Sequence, residues 1–393
     1  MSGRIRTLIL DANGWGGWKA VASETVVRGM LGVSGPEQLP PALRRIPLAQ
    51  RVLRDRYAGL SYAIDWRDAF VADPGLDADV CNIINLVDYA RCRSRIRDYP
   101  LVIVLHSATG DSMGILRRTA SWFQSRRGKL VVFVGNEYNL LDEKIGFIRE
   151  TGAEYVGSQL PIDSARWLYG ECKRAAVLAM PHALNPALYR PRPDVPRTLD
   201  IGFVGADYPL FIGDRDRTTV LEFFQRHGGE LGLTTDIRTV NIPRERWAEF
   251  LCTCRAVIGA EAGTRYLDRS GTLIPAVEEY LRSRPEATFE EVFDRFFRDR
   301  TPGVPGKAIS SRHFEPIGTL TCQILLEGHY NGILTADEHY IALKRDLSNM
   351  GEALDRFRDT GYRDAMTRRA REYVLAEHTY AHRVRQLLAA VEL

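Results

Sequence analysis

Charged side chains stand at the start of a predicted helix near the end of the chain. Arg312 and Glu315 come just before Pro316 and a long apolar run in the segment SSRHFEPIGTLTCQILLEGHY. Proline favours the first position of a helix, so the free N–H groups there would be those of Ile317, Gly318 and Thr319. Such a helix start attracts anions, and a carboxylate beside it can accept hydrogen bonds from two ribose hydroxyls. The alternative is that Glu315 neutralises the helix dipole and pairs with Arg312.

Basic residues elsewhere in the second half of the chain fit the same ligand. Lys307 would offset the charge of a pyrophosphate together with Arg312. Arg215 and Arg217 lie at the start of another predicted helix, where a cation opposes the helix dipole and a bound diphosphate would remove the conflict. The competing interpretation is a solvated set of ion pairs with the neighbouring aspartates at positions 214 and 216.

Two loops of the second half follow predicted strands and contain glycine. Gly205 ends the first strand of this half, and Glu261, Gly263 and Thr264 follow a later strand. Glycine lets the backbone approach a ligand closely, so we assign Gly205, Glu261 and Gly263 to the binding of the same ligand. The alternative is that both loops are purely structural.

In the first half, candidate catalytic groups follow strands. His106 ends the run VIVLHS, and Asn136 and Glu137 come directly after KLVVFVG. Ligands of parallel sheets bind at the carboxyl ends of the strands, which makes His106 and Glu137 our catalytic candidates. One alternative is that the hydrogen bonds of His106 at the strand end are only structural. The other is that Asn136 caps a helix, with Glu137 near the helix dipole.

The segment DANGWGGWKAV at 11–21 forms a glycine-rich turn between a strand and a helix. The spacing of Gly14, Gly16 and Gly17 differs from the dinucleotide fingerprint and from the P-loop. Trp15 beside these glycines would line a site for a sugar or acceptor, or for a phosphate. A plain strand-to-helix turn is the alternative.

Apolar runs alternate with helical patterns along the whole chain. Because the runs are continuous rather than alternating, they predict parallel sheets covered on both faces, which is the α/β class. A segment with five prolines, 181–200, separates two such halves. Predicted strands are 6–11, 99–107, 129–135, 175–181, 200–206, 255–260 and one near 235–240, and predicted helices are 113–128, 217–228, 244–254, 288–300 and 364–393.

These patterns predict two doubly wound domains that face a central cleft. We place an N-terminal Rossmann-like domain at 1–185, a linker at 186–199 and a C-terminal Rossmann-like domain at 200–365. A C-terminal helix at 366–393 would pack back on the first domain. Asn349 and Glu352 predict a capping box at the start of the preceding helix.

Composition limits the class of protein. The chain has 393 residues, of which 45% are apolar and 26% are charged, and its net charge is +3. This small excess, without a basic stripe, disfavours nucleic-acid binding. The six cysteines form no Cys-x-x-Cys pair, and no apolar run reaches the ~20 residues of a membrane helix. We expect a cytoplasmic protein. The sequence leaves open whether it contacts the inner face of the membrane peripherally and whether it forms a homodimer.

Several of these motifs resemble one family. SSRHFEPIGTLTCQILLEGHYNGIL, the closing run His378-Thr379-Tyr380-Ala381-His382-Arg383 and the linker PHALNPALYRP resemble bacterial glycosyltransferases of the group 1 superfamily, spore-maturation-protein type. The resemblance covers most of 175–393. It implies the GT-B fold, with the acceptor on the first domain and the nucleotide-sugar on the second.

The resemblance also implies roles for particular residues. Glu315 would hold the donor ribose, Arg215 and Arg217 would face the diphosphate, and His106 would lie beside the donor sugar. One departure concerns the donor sugar, because Lys307 stands where related enzymes often have a second glutamate.

The sequence leads to a metal-independent glycosyltransferase with no cofactor. It would act in the synthesis of surface polysaccharide, glycolipid or glycoprotein, on a glycan, lipid-linked or protein acceptor. One alternative is a nucleotide-sugar epimerase that uses Glu137, Glu261 and His106. The other is a non-catalytic scaffold of glycosyltransferase type.

Overall fold

The computed structural model describes residues 3–12, 17–30, 32–33, 38, 41–45, 61–110, 112–300 and 303–392. Its contacts divide the chain into two compact units. Unit 1 comprises Met1–Ser158, Tyr169–Leu178 and Val384–Leu393, and unit 2 comprises Gln159–Leu168 and Ala179–Arg383.

Unit 1 is built on a six-stranded sheet with the strand order β2-β1-β3-β4-β5-β6. The pairs β1–β2, β1–β3, β3–β4 and β4–β5 are parallel. All four residues of β3 are buried, as the apolar run predicts for a strand covered on both faces. The strands are β1 Ile5–Asp11, β2 Leu76–Asn82, β3 Leu101–Val104, β4 Lys129–Phe133, β5 Tyr155–Ser158 and β6 Ala176–Ala179.

Helices connect these strands. They are α1 Gly17–Glu24, α2 Pro41–Arg44, α3 Ser61–Ala72, α4 Leu86–Arg95, α5 His106–Thr109, α6 Gly114–Arg118 and α7 Leu141–Thr151, with a π-helical turn at Thr25–Met30 and 3₁₀ turns at Ile96–Asp98 and Ala120–Ser125. The single helix predicted for 113–128 is therefore wrong. It is divided at Thr119, whose hydroxyl hydrogen-bonds the carbonyl of Ile115 at 2.8 Å and so competes with the helix backbone.

Unit 2 contains a five-stranded sheet with the order β13-β12-β9-β7-β8, and all its pairs are parallel. A separate antiparallel pair joins β10 and β11. The strands are β7 Leu199–Val204, β8 Thr235–Arg238, β9 Cys254–Gly259, β10 Ala262–Thr264, β11 Gly306–Ala308, β12 Cys322–Leu326 and β13 Ile341–Leu343. The prediction of two doubly wound α/β units is confirmed.

The helices of unit 2 pack on both sides of this sheet, and one of them carries the charged segment. They are α8 Ile162–Leu168, α9 Asp216–His227, α10 Arg244–Thr253, α11 Leu273–Ser283, α12 Phe289–Phe296, α13 Ser311–Gly318, α14 Met350–Arg358 and α15 Thr360–Glu377, with 3₁₀ turns at Leu210–Ile212 and Tyr330–Gly332. The last helix, α16 Tyr380–Val391, begins in unit 2 and continues into unit 1.

Three predictions about this part of the chain are wrong. Helix α13 begins at Ser311 and contains Pro316 near its end, and the apolar run after it is strand β12. The terminal helix is two helices, because the chain leaves helical geometry at His378. Asn349 caps no N–H group of α14; its side chain bonds Lys344 N and Ala342 O instead.

Within the described part of the chain, no helix combines the length and the apolar character that crossing a bilayer requires.

Candidate functional site

The chain order reverses beside the first strand of unit 2. Strand β7 lies between β8 and β9, so the connections that leave β7 and β9 diverge at the carboxyl ends of these strands. Open parallel sheets bind ligands at such a switch point. The carboxyl ends of β7 and β9 are therefore the first place to look for a site.

The start of helix α13 lies at these strand ends. Arg312 donates from its guanidinium to the carbonyl of Val204, the last residue of β7, at 2.8 Å. The His313 ring nitrogen Nε2 lies 3.1 Å from the carbonyl of Ala260, just after β9. His313 Nδ1 accepts from the Ser310 N–H at 2.9 Å and completes a capping box. Burial lowers the pKa of His313 to about 4, so the ring is neutral and bridges both groups.

Glu315 lies one turn into α13, and only 2% of it is exposed. Its Oε2 accepts a hydrogen bond from Trp247 Nε1 at 2.6 Å, and Arg312 Nε lies 3.9 Å from the same oxygen. The Arg312 guanidinium also lies over the Trp247 ring, 4.4 Å from its centre. Burial raises the pKa of the Glu315 carboxyl, while Arg312 and Trp247 act in the opposite direction.

Arg217 adds a second guanidinium to this edge. Its Nη2 donates to the carbonyl of Ala206, and the group stacks on the Tyr208 ring 3.7 Å from the ring centre. Burial lowers the Arg217 pKa, and the positive charge of Arg312 contributes in the same direction. Two cations held close enough to repel each other, beside a helix start, form an arrangement that an anion would stabilise.

A network of ion pairs lies beside these arginines. Lys307 Nζ lies 2.7 Å from Asp214 Oδ2 and 3.5 Å from Asp216 Oδ2. Asp216 Oδ2 also contacts Arg265 at 2.7 Å and Arg345 at 3.3 Å. Three cations thus share two carboxylates, and Lys307 is fixed in place by them.

Some predicted donor residues have other partners. Arg215 forms ion pairs with Glu222 and Glu290, both at 2.8 Å. The aspartate neighbours considered from the sequence are therefore not its partners. Its role at the diphosphate stays a prediction.

Gly318 and Thr319 lie at the end of α13 rather than at its start, so their N–H groups are not presented at a helix mouth. The Gly318 carbonyl accepts from Arg371 Nε at 3.2 Å, and the Thr319 carbonyl accepts from Arg197 at 2.7 Å. A side chain on Gly318 would collide with the carbonyl of Tyr189. Because the helix begins at Ser311, the physical reason for an anion site at Gly318 and Thr319 does not hold, and their role in ligand binding stays a prediction.

The loop residues near β7 and β9 have structural contacts. The Gly205 N–H donates to Arg238 O at 3.1 Å. Glu261 Oε1 accepts from the Tyr330 N–H at 2.7 Å. Gly263 has φ +89° in β10, and a side chain there would meet the carbonyl of Gly306. These contacts hold the strand ends in position.

In unit 1 the predicted His106 is the first residue of α5, directly after β3, and is enclosed by aromatic rings. The ring centres of Trp66 and Phe133 lie 5.4 Å and 5.0 Å from that of His106. Its side chain is almost fully buried.

Glu137 follows β4 and is buried as well. Its Oε2 accepts from Ser158 Oγ and from Tyr169 OH, both at 2.7 Å. The loop that carries it is fixed by the buried Lys144, whose ammonium donates to the carbonyls of Gly135, Asn136 and Asn139 at 2.6–2.9 Å. Glu137 is thus held rigidly at the carboxyl end of its strand.

Sequence reasoning missed a polar group at the switch point of unit 1, where β1 lies between β2 and β3. Asp11 ends β1; its Oδ1 accepts from Ser107 Oγ and from Ala12 N, and its Oδ2 lies 3.2 Å from Arg67. Burial raises the pKa of the Asp11 carboxyl. The position of an acidic residue at the end of an apolar strand was the available signal.

The structure describes only part of the predicted glycine-rich loop. Gly14, Trp15 and Gly16 lie outside the described residues. Gly17 begins α1 with φ +73°, a conformation that favours glycine.

Comparisons with known proteins agree with this geometry. Residues 296–389 match the family model described as "Glycosyl transferase-like". Among solved structures, an alpha-glucosyltransferase in complex with UDP and a 13-mer DNA containing a HMU base is 10% identical, with a TM-score of 0.58 and 100% of both chains covered. Anabaena Alr3699/HepE in complex with UDP-glucose is 9% identical, with a TM-score of 0.50 and 99% of both chains covered. No curated protein sequence gives a match.

Likeness to structures this distant in sequence shows the fold, and that fold is the GT-B fold. The particular family signature lies in residues 296–389, which are glycosyl transferase-like and include α13 with Arg312 and Glu315. The resemblance of the sequence to glycosyltransferases is confirmed by the match to this family model. The spore-maturation type within that class stays a prediction.

Proposed function

We propose that this chain is a metal-independent glycosyltransferase that takes a sugar from a nucleoside-diphosphate sugar. One observation carries the proposal: Arg217, Arg312 and the start of α13 converge at the carboxyl ends of β7 and β9. This arrangement supplies positive charge and backbone N–H groups where a diphosphate would bind. The acceptor class is the one expected from the sequence: surface polysaccharide, glycolipid or glycoprotein.

The donor nucleoside would be held by Glu315. Its Oε2 is engaged by Trp247, and the remaining acceptor capacity of the carboxylate suits the two ribose hydroxyls. Ionisation of this buried group costs free energy, and the nearby Arg312 reduces that cost.

In the proposed reaction, the bond between the anomeric carbon and the diphosphate oxygen breaks, and a bond to the acceptor oxygen forms. The acceptor hydroxyl proton passes to a base, for which His106 and Glu137 of unit 1 remain the candidates. The charge that develops on the leaving nucleoside diphosphate is stabilised by Arg217 and Arg312. Because these two cations would balance the negative charge of the leaving group, the proposal requires no metal ion.

Uridine is the first nucleoside to test. The alpha-glucosyltransferase structure contains UDP and the Anabaena structure contains UDP-glucose, according to their descriptions. On this basis we propose a UDP-sugar as the donor of this chain. GDP-, ADP- and dTDP-sugars are the comparison ligands.

The test is calorimetric titration of the full chain with UDP and UDP-glucose in the presence of EDTA, followed by product analysis of UDP-glucose incubated without acceptor. Metal-independent binding with slow release of free sugar supports the proposal. The proposal is refuted and the scaffold is favoured if neither UDP, nor UDP-glucose, nor any of the GDP-, ADP- and dTDP-sugars titrated in the same way binds. Conversion of the donor alone into a different nucleotide-sugar would indicate an epimerase.

A further inference from the structure

Two cysteines of unit 1 lie on elements that pack against each other. Cys81 is completely buried in strand β2, and Cys92 is half-buried in helix α4. A short connection at 83–85 joins the strand to the helix, and α4 packs on β2. Asn85 fixes the start of the helix, because its side chain accepts a hydrogen bond from the Asp88 N–H. The fold therefore brings the strand and the helix that carry the two thiols side by side.

The spacing of the buried residues directs Cys92 inwards. Asn85, Tyr89 and Ile96 are buried, and together with Cys92 they follow one another at steps of three and four residues. Residues at such steps share one face of a helix. Cys92 therefore belongs to the inner face of α4, on the side of the helix that packs on the unit.

The two thiols meet there and hydrogen-bond each other. This bond lowers the pKa of Cys92 and raises the pKa of Cys81, so Cys81 is the donor and Cys92 carries the thiolate. Burial and the negative charges of Asp88 and Asp79 oppose the lowering at Cys92, whereas the positive charge of Arg95 supports it.

Tyr89 lies near both thiols. Its side chain is buried one turn before Cys92, and its hydroxyl lies 2.8 Å from Thr119 Oγ1. Burial raises the pKa of Tyr89, and the negative charges of Cys81 and Cys92 both add to this effect. The pair is thus part of a packed cluster rather than two thiols that are free to move apart.

We propose that Cys92 and Cys81 form a reversible disulfide when the protein meets a hydroperoxide. The thiolate is the reactive form of cysteine, and a half-buried thiolate remains within reach of a small oxidant. A buried thiol beside it can resolve the oxidised sulfur. Pairs of this kind are typical of redox-sensing proteins.

The reaction balances in two steps. The Cys92 sulfur attacks one oxygen of the peroxide, so that an S–O bond forms, the O–O bond breaks and hydroxide leaves. The Cys81 sulfur then attacks the Cys92 sulfur, an S–S bond forms, and the S–O bond breaks as water leaves with the proton of the Cys81 thiol. Two thiols are oxidised, and one peroxide is reduced to two molecules of water.

The disulfide would tie the edge strand of unit 1 to α4. Cys81 directly precedes Asn82, the last residue of β2, whose Nδ2 donates to Glu24 Oε1 at 2.9 Å. Oxidation would therefore restrain the carboxyl end of this strand. The inference is independent of the proposed donor site, which lies in unit 2, and its test uses no nucleotide.

The test is peptide mapping of the reduced full chain after treatment with hydrogen peroxide and alkylation of the remaining thiols. Trypsin cleaves after Arg91, between the two cysteines. A disulfide therefore holds two tryptic peptides together, and mass spectrometry without reductant should detect the linked pair. Dithiothreitol should release the two peptides.

Two variants separate the roles of the thiols. Cys92→Ser should abolish the linked pair and leave the buried Cys81 reduced. Cys81→Ser should leave Cys92 as the sulfenic acid, because a serine hydroxyl can still donate to the thiolate but cannot form a disulfide. Dimedone traps sulfenic acids, and its labelling of Cys92 in this variant should be about tenfold that of the wild type.

The matched control is Cys172, which is also a buried cysteine of unit 1. Burial raises its pKa to about 11, so it should be neither labelled nor linked. Circular dichroism confirms that each variant is folded. The map of the wild type involves no substitution and decides the question even if a variant does not fold.

Three results would overturn the proposal. The first is oxidation of Cys92 beyond the sulfenic acid in the wild type without any linked pair, which would show that the thiols do not react with each other. The second is a covalent dimer on non-reducing gels that is lost with Cys92→Ser, which would show that Cys92 reacts with a second chain. The third is labelling of Cys172 equal to that of Cys92.

Discussion

Arg215 and Arg217 are two residues apart, yet they have different surroundings. Arg215 is engaged by Glu222 and Glu290, whereas Arg217 contacts the Ala206 carbonyl and the Tyr208 ring. A guanidinium whose charge is already balanced by two carboxylates has less to offer a diphosphate. The comparison of the two arginines therefore tests the position of the donor site.

We predict that Arg217→Ala weakens UDP binding more than Arg215→Ala does. A charge-assisted hydrogen bond contributes about 2 kcal/mol, so the Kd of the Arg217 variant should rise about thirtyfold. The Arg215 variant should change it less than about threefold. Calorimetric titration measures both. Equal losses would restore Arg215 to the diphosphate site, and no loss in either variant would place the donor elsewhere.

Glu315→Gln should change stability and binding in opposite directions. Burial raises the pKa of this carboxyl, so the wild type is favoured while the group is protonated and loses stability as the pH rises above the ordinary value of 4.5. The glutamine variant does not titrate. Its melting temperature relative to the wild type should therefore increase as the pH rises above 4.5.

The same variant should bind UDP more weakly at neutral pH, because an amide offers one acceptor oxygen where the carboxylate offers two. Glu315→Ala should bind more weakly still. A role in packing alone would leave the affinity of the glutamine variant unchanged, and that outcome would contradict the ribose assignment.

The sequence could indicate Arg312 and Glu315, since both lie in a run of unusual composition. The end of an apolar strand could indicate Asp11, but the distant partners of Asp11, Trp247 and His313 could not be predicted from the sequence. Trp247 contacts Glu315, which is 68 residues further along, and Ser107 contacts Asp11 across 96 residues. Such contacts follow from the sheet order, which single-residue patterns do not contain.

At the level of elements, the start of α13 depends on a neutral histidine. His313 Nδ1 accepts the Ser310 N–H, and Nε2 faces the Ala260 carbonyl, so protonation of the ring would oppose the first contact. The geometry of this helix start at the candidate site therefore depends on the protonation state of His313.

We predict that His313→Ala lowers the free energy of unfolding by about 1–2 kcal/mol through loss of the cap. His313→Gln should retain most of it, since glutamine at this position can still accept from the N-cap N–H. The pKa of His313 falls from its ordinary value of 6.5 to about 4, so the wild type loses stability as the pH falls from about 6.5 towards 4.

The stability difference between the wild type and the glutamine variant should therefore shrink in acid, by at most about 1.4 kcal/mol per pH unit. Melting curves over this range measure it. A difference that does not change with pH would show that folding does not lower the pKa of His313.

Elements with uniform burial could be predicted from the sequence, and elements at the edge could not. The run that became β3 is apolar throughout, and those that became β4 and β7 are apolar after Lys129 and Asp200 near their starts, as expected for strands between two helical layers. Strand β2 was missed because it lies at the sheet edge and contains Asp77 and Asp79. Strand β12 was taken for a helix, since a short apolar run is equally compatible with both structures.

For the whole molecule, we predict that a nucleotide protects one unit more than the other. UDP at about 100 times its Kd stabilises the unit that binds it by about 2.7 kcal/mol. Hydrogen exchange followed by mass spectrometry should show slower exchange at the start of α13 and in the connection from β7 to α9. The sheet of unit 1 is the internal control, and protection there alone would contradict a donor site in unit 2.

The division of the chain has a consequence for biosynthesis. Unit 1 begins at the first residues but also includes Val384–Leu393, and Lys129 in β4 bonds the carbonyl of Val391 in α16. A ribosome has therefore already made all of residues 179–383 when it adds this last contribution to unit 1. The sheet of unit 1 therefore lacks its C-terminal segment while unit 2 is being synthesised. We expect nascent chains stalled before residue 384 to be more susceptible to protease in unit 1 than released chains are.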